Sequence, residues 1–252
     1  MPLIVDPQWY KKIWSLDILN MSWVEETLPE VEFLLQILKP IGHERILDLA
    51  CGCGRHALEL ARRGFTVTGV DITPAYVDYA NQAAQKESLP ARFLCADLRD
   101  IDYCAEFDVV LNLADGAIGY LENDTENLKI FDRVSAALAP GGQHVMGVCS
   151  GDYARKHFPR RHWEAGSQSL SLADFAWDAD ESRMLYTSYC FPYGQPLRAP
   201  APAEPTSTRL YTVTELREIF QARGMRLVMA YDGYHNRPAT DDSFEILVHS
   251  VK

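Results

Sequence analysis

The chain has 252 residues, 47% hydrophobic and 23% charged, which suits one large or two small globular domains with a sizeable buried core. Its formal net charge of -11 would repel a phosphate backbone, so nucleic acid is excluded as a first choice of partner. No window approaches the ~20 apolar residues of a membrane-spanning helix, and Asp6, Lys11 and Lys12 precede any long apolar run, unlike a signal peptide, so a soluble cytoplasmic protein without membrane partners is expected.

In chain order, the first predicted helix covers 29–39, with Pro29 at a first helical position and Val31, Leu34, Leu35 and Leu38 at helical spacing; Pro40 and Gly42 end it. Residues 45–50 read as a short buried strand, 51–54 as a glycine turn, and 55–63 as a helix stopped by Gly64. A β-rich run at 65–71 follows, then a helix to about Glu87 with Thr73 as N-cap and Pro74 at its first position. Strands are predicted at 92–96 and 107–113, and Asn123 with Glu126 has the spacing of a capping box that opens a helix to Leu138. Pro140-Gly141-Gly142 then turns the chain into a fifth strand at 144–149.

Strands alternating with helices at this spacing predict right-handed crossovers and a doubly wound, mostly parallel α/β sheet. The alternation fails from 150 to 210, where aromatic and polar residues mix and the stretch 192–205 is proline-rich; an insertion with a mobile loop is expected. Thr212 and Glu215 then open a last capped helix to Arg223 with Gly224 after it, and strands follow near 225–230 and 244–251. Residues 1–150 and 211–252 therefore form the expected main domain, and 151–210 an inserted, β-rich substrate cover.

The six cysteines lack both the spacing of a disulfide scaffold and the partners of a zinc site; no structural metal is expected. In open α/β sheets ligands bind at the carboxyl ends of the strands, which directs attention to what stands where each predicted strand stops. Gly52 and Gly54 would let backbone approach a ligand at the start of a helix, a place suited to a carboxylate or phosphate, or else form a plain tight turn. Asp71 follows at an interval that suits a ribose hydroxyl pair, or caps the next helix; Asp97 could meet an adenine amino group, or be an ordinary turn residue. These residues point to a nucleoside-bearing ligand without separating a dinucleotide such as NAD from S-adenosylmethionine, since Gly52-x-Gly54-x-x-Ala57 also fits the dinucleotide fingerprint.

Asp48-Leu49-Ala50-Cys51-Gly52-Cys53-Gly54-Arg55-His56 resembles motif I of the class I S-adenosylmethionine-dependent methyltransferases, in the form D-x-x-C-G-x-G-R-H of a bacterial small-molecule branch. Gly69-Val70-Asp71, Ala96-Asp97-Leu98, Phe107-Asp108-Val109-Val110 and Leu138-Ala139-Pro140-Gly141-Gly142 resemble that family's later motifs in the same order. Residues 158–164 and 209–212 resemble its substrate-side segments. The resemblance implies a seven-stranded Rossmann-like methyltransferase fold with S-adenosylmethionine as cofactor and S-adenosylhomocysteine as product. Asp48, Cys51, Gly52 and Gly54 would then lie along the methionine portion, Asp71 with Ile72 at the ribose, and Asp97 with Leu98 at the adenine. Asn112 or Leu113 would close the site through its backbone.

One stretch departs from the branch. Ala114-Asp115-Gly116-Ala117-Ile118-Gly119-Tyr120 puts a carboxylate near the expected methyl-transfer position. Asp115 is the candidate general base, or binds a cationic acceptor without moving a proton, or is a solvated loop acid. Tyr10 and Trp14 would fold over the cofactor or pack in the core; Tyr120, Arg160, Arg161, Trp163 and Tyr211 are the candidate acceptor contacts. The expected activity is methyl transfer to an O or N atom of a small molecule. The alternatives are a protein or RNA acceptor, or a non-catalytic or NAD-type nucleotide-binding protein. Oligomeric state is not encoded in any pattern the sequence displays.

Overall fold

The computed structural model describes residues 5–40, 42, 44–196, 198 and 201–252, so the start at 1–4 and part of the proline-rich loop lie outside the described residues. Short 3-10 turns lead into α1 (Thr27–Leu38), whose C-cap Lys39 takes the left-handed conformation. The alternation follows as β1 (Arg45–Leu49), α2 (Arg55–Arg62), β2 (Thr66–Asp71), α3 (Pro74–Glu87) and β3 (Ala91–Cys95). It continues with β4 (Phe107–Asn112), α4 (Asp124–Ala137) and β5 (Leu138–Cys149).

These boundaries lie within a few residues of the sequence expectations, except at the amino end of β5. Pairing there begins at Leu138, and the Phe107↔Leu138 and Val109↔Gln143 pairs leave 139–142 as a bulge rather than a turn ahead of the strand. Asn123 caps α4 as expected, accepting from Glu126 N at 3.0 Å. The Glu126 carboxylate, however, turns to Arg99 (2.7 Å) and Lys129 (2.6 Å). Thr73 sits at the N-cap of α3 without a capping side-chain bond, and Asp71 Oδ1 instead accepts from Thr73 N at 2.8 Å.

The expected insertion is a second, antiparallel sheet. After α5 (Gly151–His157) come β6 (Arg160–Ala165), β7 (Ser169–Asp178), β8 (Arg183–Pro192) and β9 (Thr206–Arg209), hydrogen-bonded in that order. The chain then returns through α6 (Val213–Gln221), β10 (Arg226–Asp232) and β11 (Glu245–Val251). The capping box of α6 forms in full: Thr212 Oγ1 accepts from Glu215 N at 3.1 Å and Glu215 Oε2 from Thr212 N at 2.7 Å.

The main sheet has seven strands in the order β10-β11-β5-β4-β1-β2-β3. Every neighbouring pair from β3 to β5 is parallel, and β11 runs antiparallel to both of its neighbours. Strand alternation divides its apolar side chains between two faces. Ile46, Val109, Leu111 and Leu247 pack with α1, α2 and α3, whereas Leu47, Val110, Met146 and Ile246 pack with α4 and α6. Covering on both faces explains why these strands are apolar throughout, and each fully buried Leu or Ile contributes about 1.5–3 kcal/mol. Because β11 is reversed, its amino end lies beside the carboxyl ends of β4 and β5; Glu245 pairs with Cys149 in register.

Candidate functional site

The carboxyl ends of the parallel strands, the N-terminal segment and the inserted sheet together enclose a cavity of about 600 Å³. At its β1 side Ala50, Gly52 and Gly54 all have positive φ. Nothing lies within 4 Å of where a Gly52 Cβ would stand, so this turn leaves its backbone open to a ligand. Gly54 serves packing instead. Its Cβ would meet the Phe93 ring at 2.8 Å, so it permits α2 to approach the sheet and does not line the cavity.

Asp71, at the end of β2, is 7% exposed and ties two strand ends together: its Oδ2 accepts from Gly52 N at 2.9 Å and its Oδ1 from Thr73 N. Burial pushes its carboxyl up, and those backbone donors pull against the shift. Each oxygen keeps a lone pair for a further donor such as a ribose hydroxyl. Asp48 is 2% exposed, its Oδ2 has no hydrogen-bond partner among the described residues, and burial with the nearby Asp71 charge pushes it up to about 7. Asp97 also lines the cavity but is held by Arg99, at 2.9 and 2.6 Å to its two oxygens. This clamp outweighs burial and lowers its carboxyl. Cys51, Ile72, Leu98 and Leu113 complete this side.

Tyr10 is both cavity wall and core residue, so the two readings of the aromatic segment coexist. It is 4% exposed, and its hydroxyl donates to Glu122 at 3.0 Å. Burial, followed by that bond, pushes its phenol up to about 12. Trp9 packs on Tyr120 with ring centroids 4.7 Å apart and donates to Ser207 O in the inserted sheet.

The turn after β4 carries the least ordinary backbone. Ala114, Asp115, Gly116 and Ala117 all have φ between 50° and 67°, a left-handed turn that costs roughly 1–2 kcal/mol per non-glycine residue. Surrounding bonds hold it: Asp115 N donates to Gly147 O at 2.8 Å, Ile118 N to Asp115 O at 2.8 Å, and Asn112 Nδ2 to Gly116 O at 3.0 Å. Asn112 is fully buried and does not line the cavity, which leaves Leu113 as the lining residue of the expected pair. With its Nδ2 committed, Asn112 Oδ1 accepts from His144 Nε2, so His144 Nδ1 accepts from Ser250 Oγ; burial keeps this imidazole neutral, its pKa pushed down to about 3.

The strained turn points Asp115 into the cavity, with Oδ2 accepting from the Tyr120 hydroxyl at 3.2 Å and Oδ1 from Cys149 N at 3.3 Å. Burial pushes this carboxyl up as well. Sequence reading missed the groups beyond it. Glu30 binds the Arg55 guanidinium and His56 Nε2 (2.7 Å), and the Arg55 guanidinium lies over the Trp23 ring. Tyr234 presents a buried hydroxyl with no hydrogen-bond partner among the described residues. The Glu245 carboxyl lines the cavity with no hydrogen bond or ion pair among the described residues; burial, then the charges of Asp115 and Glu30, push it up to about 7.

Four expected acceptor contacts stand elsewhere. Arg161 and Trp163 share the outward face of β6; the Arg161 side chain is 89% exposed and pairs with Asp174, and Trp163 is 66% exposed. Arg160 lies one layer behind the cavity wall, over the Tyr153 and Phe244 rings. Tyr211 is buried in the core, edge-on to Phe131 and under the Arg209 guanidinium. Of the expected acceptor contacts, Tyr120 lines the cavity.

An open glycine turn next to paired strand-end carboxylates, on a doubly wound sheet, defines a Rossmann-like protein with a nucleoside-sized cavity. Residues 46–142 match the family described as methyltransferase domain. YqeM of Bacillus subtilis (strain 168), provisionally named a methyltransferase, is 33% identical over 177 residues, 63% of this chain and 66% of that protein. The chain spans 66%, 57% and 47% of the length of three curated relatives it matches. Two solved structures share the fold over nearly their whole length. The CcbJ methyltransferase from Streptomyces caelestis has a TM-score of 0.74 at 17% identity, covering 97% of this chain and 94% of that one. CalS10, an amino pentose methyltransferase from Micromonospora echinaspora solved with S-adenosylmethionine bound, has a TM-score of 0.63 at 19% identity, with 92% of each chain covered. Residues 46–142 thus form a methyltransferase domain, on the Rossmann-like fold that the chain shares with these proteins.

Proposed function

We propose that the protein transfers the methyl group of S-adenosylmethionine to an O or N atom of a small molecule. The observation that carries this reading is the convergence of Gly52, Asp71, Asp97 and Asp115, from four strand ends, on one enclosed cavity. The residues present fit the cofactor: the open Gly52 turn leaves room for its methionine portion, the unpartnered Asp48 Oδ2 suits an ammonium group, and Asp71 retains acceptor capacity for two ribose hydroxyls. Asp97 and Leu98 would flank the adenine, and Cys51, Ile72, Leu113 and Tyr10 would contact the rest.

When bound, S-adenosylmethionine supplies a methyl group already activated on a sulfonium sulfur. What the protein itself contributes is to align the acceptor in line with that bond and to exclude water. Trp9, Tyr10 and Trp14 roof the cavity against Tyr120, and the inserted sheet closes its far side. Residues 151–210 would thus serve as substrate cover for the domain formed by 1–150 and 211–252. Asp115, held by Tyr120 and Cys149, is placed to hold or orient the acceptor's proton.

Calorimetric titration with S-adenosylmethionine, S-adenosylhomocysteine and NAD tests the assignment. Saturable binding of the first two, weakened in Asp71→Ala, is expected; a preference for NAD, or no binding, overturns it.

A further inference from the structure

Of the carboxylates that line the cavity, most have an evident occupation. Glu30 is paired with Arg55 and His56, Asp97 with Arg99, and Asp71 with two backbone donors. Asp48 stands on the cofactor side of the cavity, beside Asp71. Glu164 stands on β6 of the inserted sheet, and on the main-sheet wall Asp115 and Glu245 remain, one just past the end of β4 and one at the start of the reversed β11, on either side of Cys149, which feels the charge of both. Asp115 receives two neutral donors, and the Glu245 carboxyl receives no hydrogen bond or ion pair among the described residues.

The charge balance around them is one-sided. Apart from Glu164 on β6, the lining holds six carboxylates among the described residues against one guanidinium, Arg55, which is already engaged by Glu30 and Thr27. The groups facing Glu245 are Asp115, Glu30, Arg55 and the Tyr234 hydroxyl, which is buried and has no partner among the described residues, in a side chain that lines the same cavity. The remaining wall is apolar and aromatic: Tyr120, Phe175, Met184, Tyr186 and Phe244, with Phe175 centred 5.1 Å from Tyr186 and 5.5 Å from Phe244. Two half-buried carboxylates short of positive charge, set among ring faces, make a recess that favours an organic cation and disfavours an anion.

We propose that Asp115 and Glu245 form an amine-binding subsite, so that the methyl acceptor is the nitrogen of an organic amine carried on an apolar or aromatic body. The inference rests on the methyl-transfer reading and narrows it from oxygen or nitrogen to nitrogen. The amine enters as its ammonium ion and pairs with the two carboxylates. Glu245 then takes one ammonium proton, which frees the nitrogen lone pair. That pair forms the new N–CH₃ bond as the S–CH₃ bond breaks, and the electrons of the broken bond remain on sulfur as a neutral thioether. The product leaves as the methylated ammonium ion, and Glu245 returns its proton to water. A neutral alcohol would leave both carboxylates without compensation, at the cost that falls on any unpaired buried charge.

The test is calorimetric titration of protein saturated with S-adenosylhomocysteine, at about pH 8 where simple amines are protonated, using phenethylamine against 2-phenylethanol and cyclohexylamine against cyclohexanol. In at least one pair the amine is expected to bind about tenfold or more tightly than its alcohol. That preference should fall below about threefold in Asp115→Asn and in Glu245→Gln, with S-adenosylhomocysteine affinity held within about twofold as the check on folding. Equal binding in both pairs, no binding by either amine, or a preference that survives both substitutions overturns the subsite while leaving the methyl-transfer reading intact. Loss of S-adenosylhomocysteine binding by the parent protein overturns that reading first.

Discussion

The two sheets of this molecule are built to different standards of burial. In the seven-stranded sheet β4 is buried at five of its six positions and the apolar residues of β1 are 0–2% exposed, with helices on both faces. In the inserted sheet β9, next to the main domain, is buried throughout, but β7 has no fully buried residue and β8 has one, Met184, which packs with Ala154 and Leu210 in a small separate cluster. A doubly covered sheet can hold charged groups such as Asp71 in fixed positions, because its packing over-determines them. A half-buried antiparallel sheet holds side chains less tightly and accommodates differently shaped ligands. The cavity lies between the two, so one of its walls is rigid and the other more adaptable.

The sharpest way to break this arrangement is at the junction. A Cβ on Gly119 would stand 1.9 Å from Arg209 O, at φ +82°, where Gly119 O also accepts from Arg209 N at 2.8 Å. Gly119→Ala should lower unfolding free energy by about 3–5 kcal/mol, measured by urea denaturation.

Glu245→Gln should act in the opposite direction. The native carboxyl, raised from 4.5 to about 7, binds its proton more tightly than the unfolded chain does, so stability is lost as pH rises through that window. Removing the charge should stabilise the protein by something on the order of 3 kcal/mol at pH 8 and by about 1 kcal/mol at pH 5. Denaturant midpoints of parent and variant at the two pH values measure the difference; an equal shift at both would contradict the assigned cause.

If Asp71 accepts two ribose hydroxyls as proposed, Asp71→Ala should weaken S-adenosylhomocysteine about 100-fold in calorimetry. The smallest effects belong to the outward face of β6. Arg161→Ala and Trp163→Ala should change stability by no more than about 0.5 kcal/mol and leave S-adenosylhomocysteine affinity within about twofold, since neither side chain reaches the cavity.

How much of this could be read in the chain depended on the range of the interactions involved. The β1 turn, the α6 capping box and the Asp71 interval are set by residues within about twenty positions of one another, and all were legible. Arg160, Arg161, Trp163 and Tyr211 were not, because facing is decided by where a strand sits. The alternation along β6 that brings Glu164 to the cavity turns Arg161 and Trp163 away from it. Asp115 was legible as an acid after the fourth strand. Its inward aim depends on a left-handed turn whose anchors, Gly147 and the Asn112–His144–Ser250 chain, come from three strands.

By itself the sequence determined the alternating strands and helices, the open turn at Gly52 and the acids at the ends of β2, β3 and β4, since periodicity, glycine and proline act locally. Tertiary structure alone decided that Glu245 stands beside Asp115. The two are 130 positions apart in the chain, and they meet because β11 enters the sheet reversed, carrying its first residue to the end where the parallel strands finish.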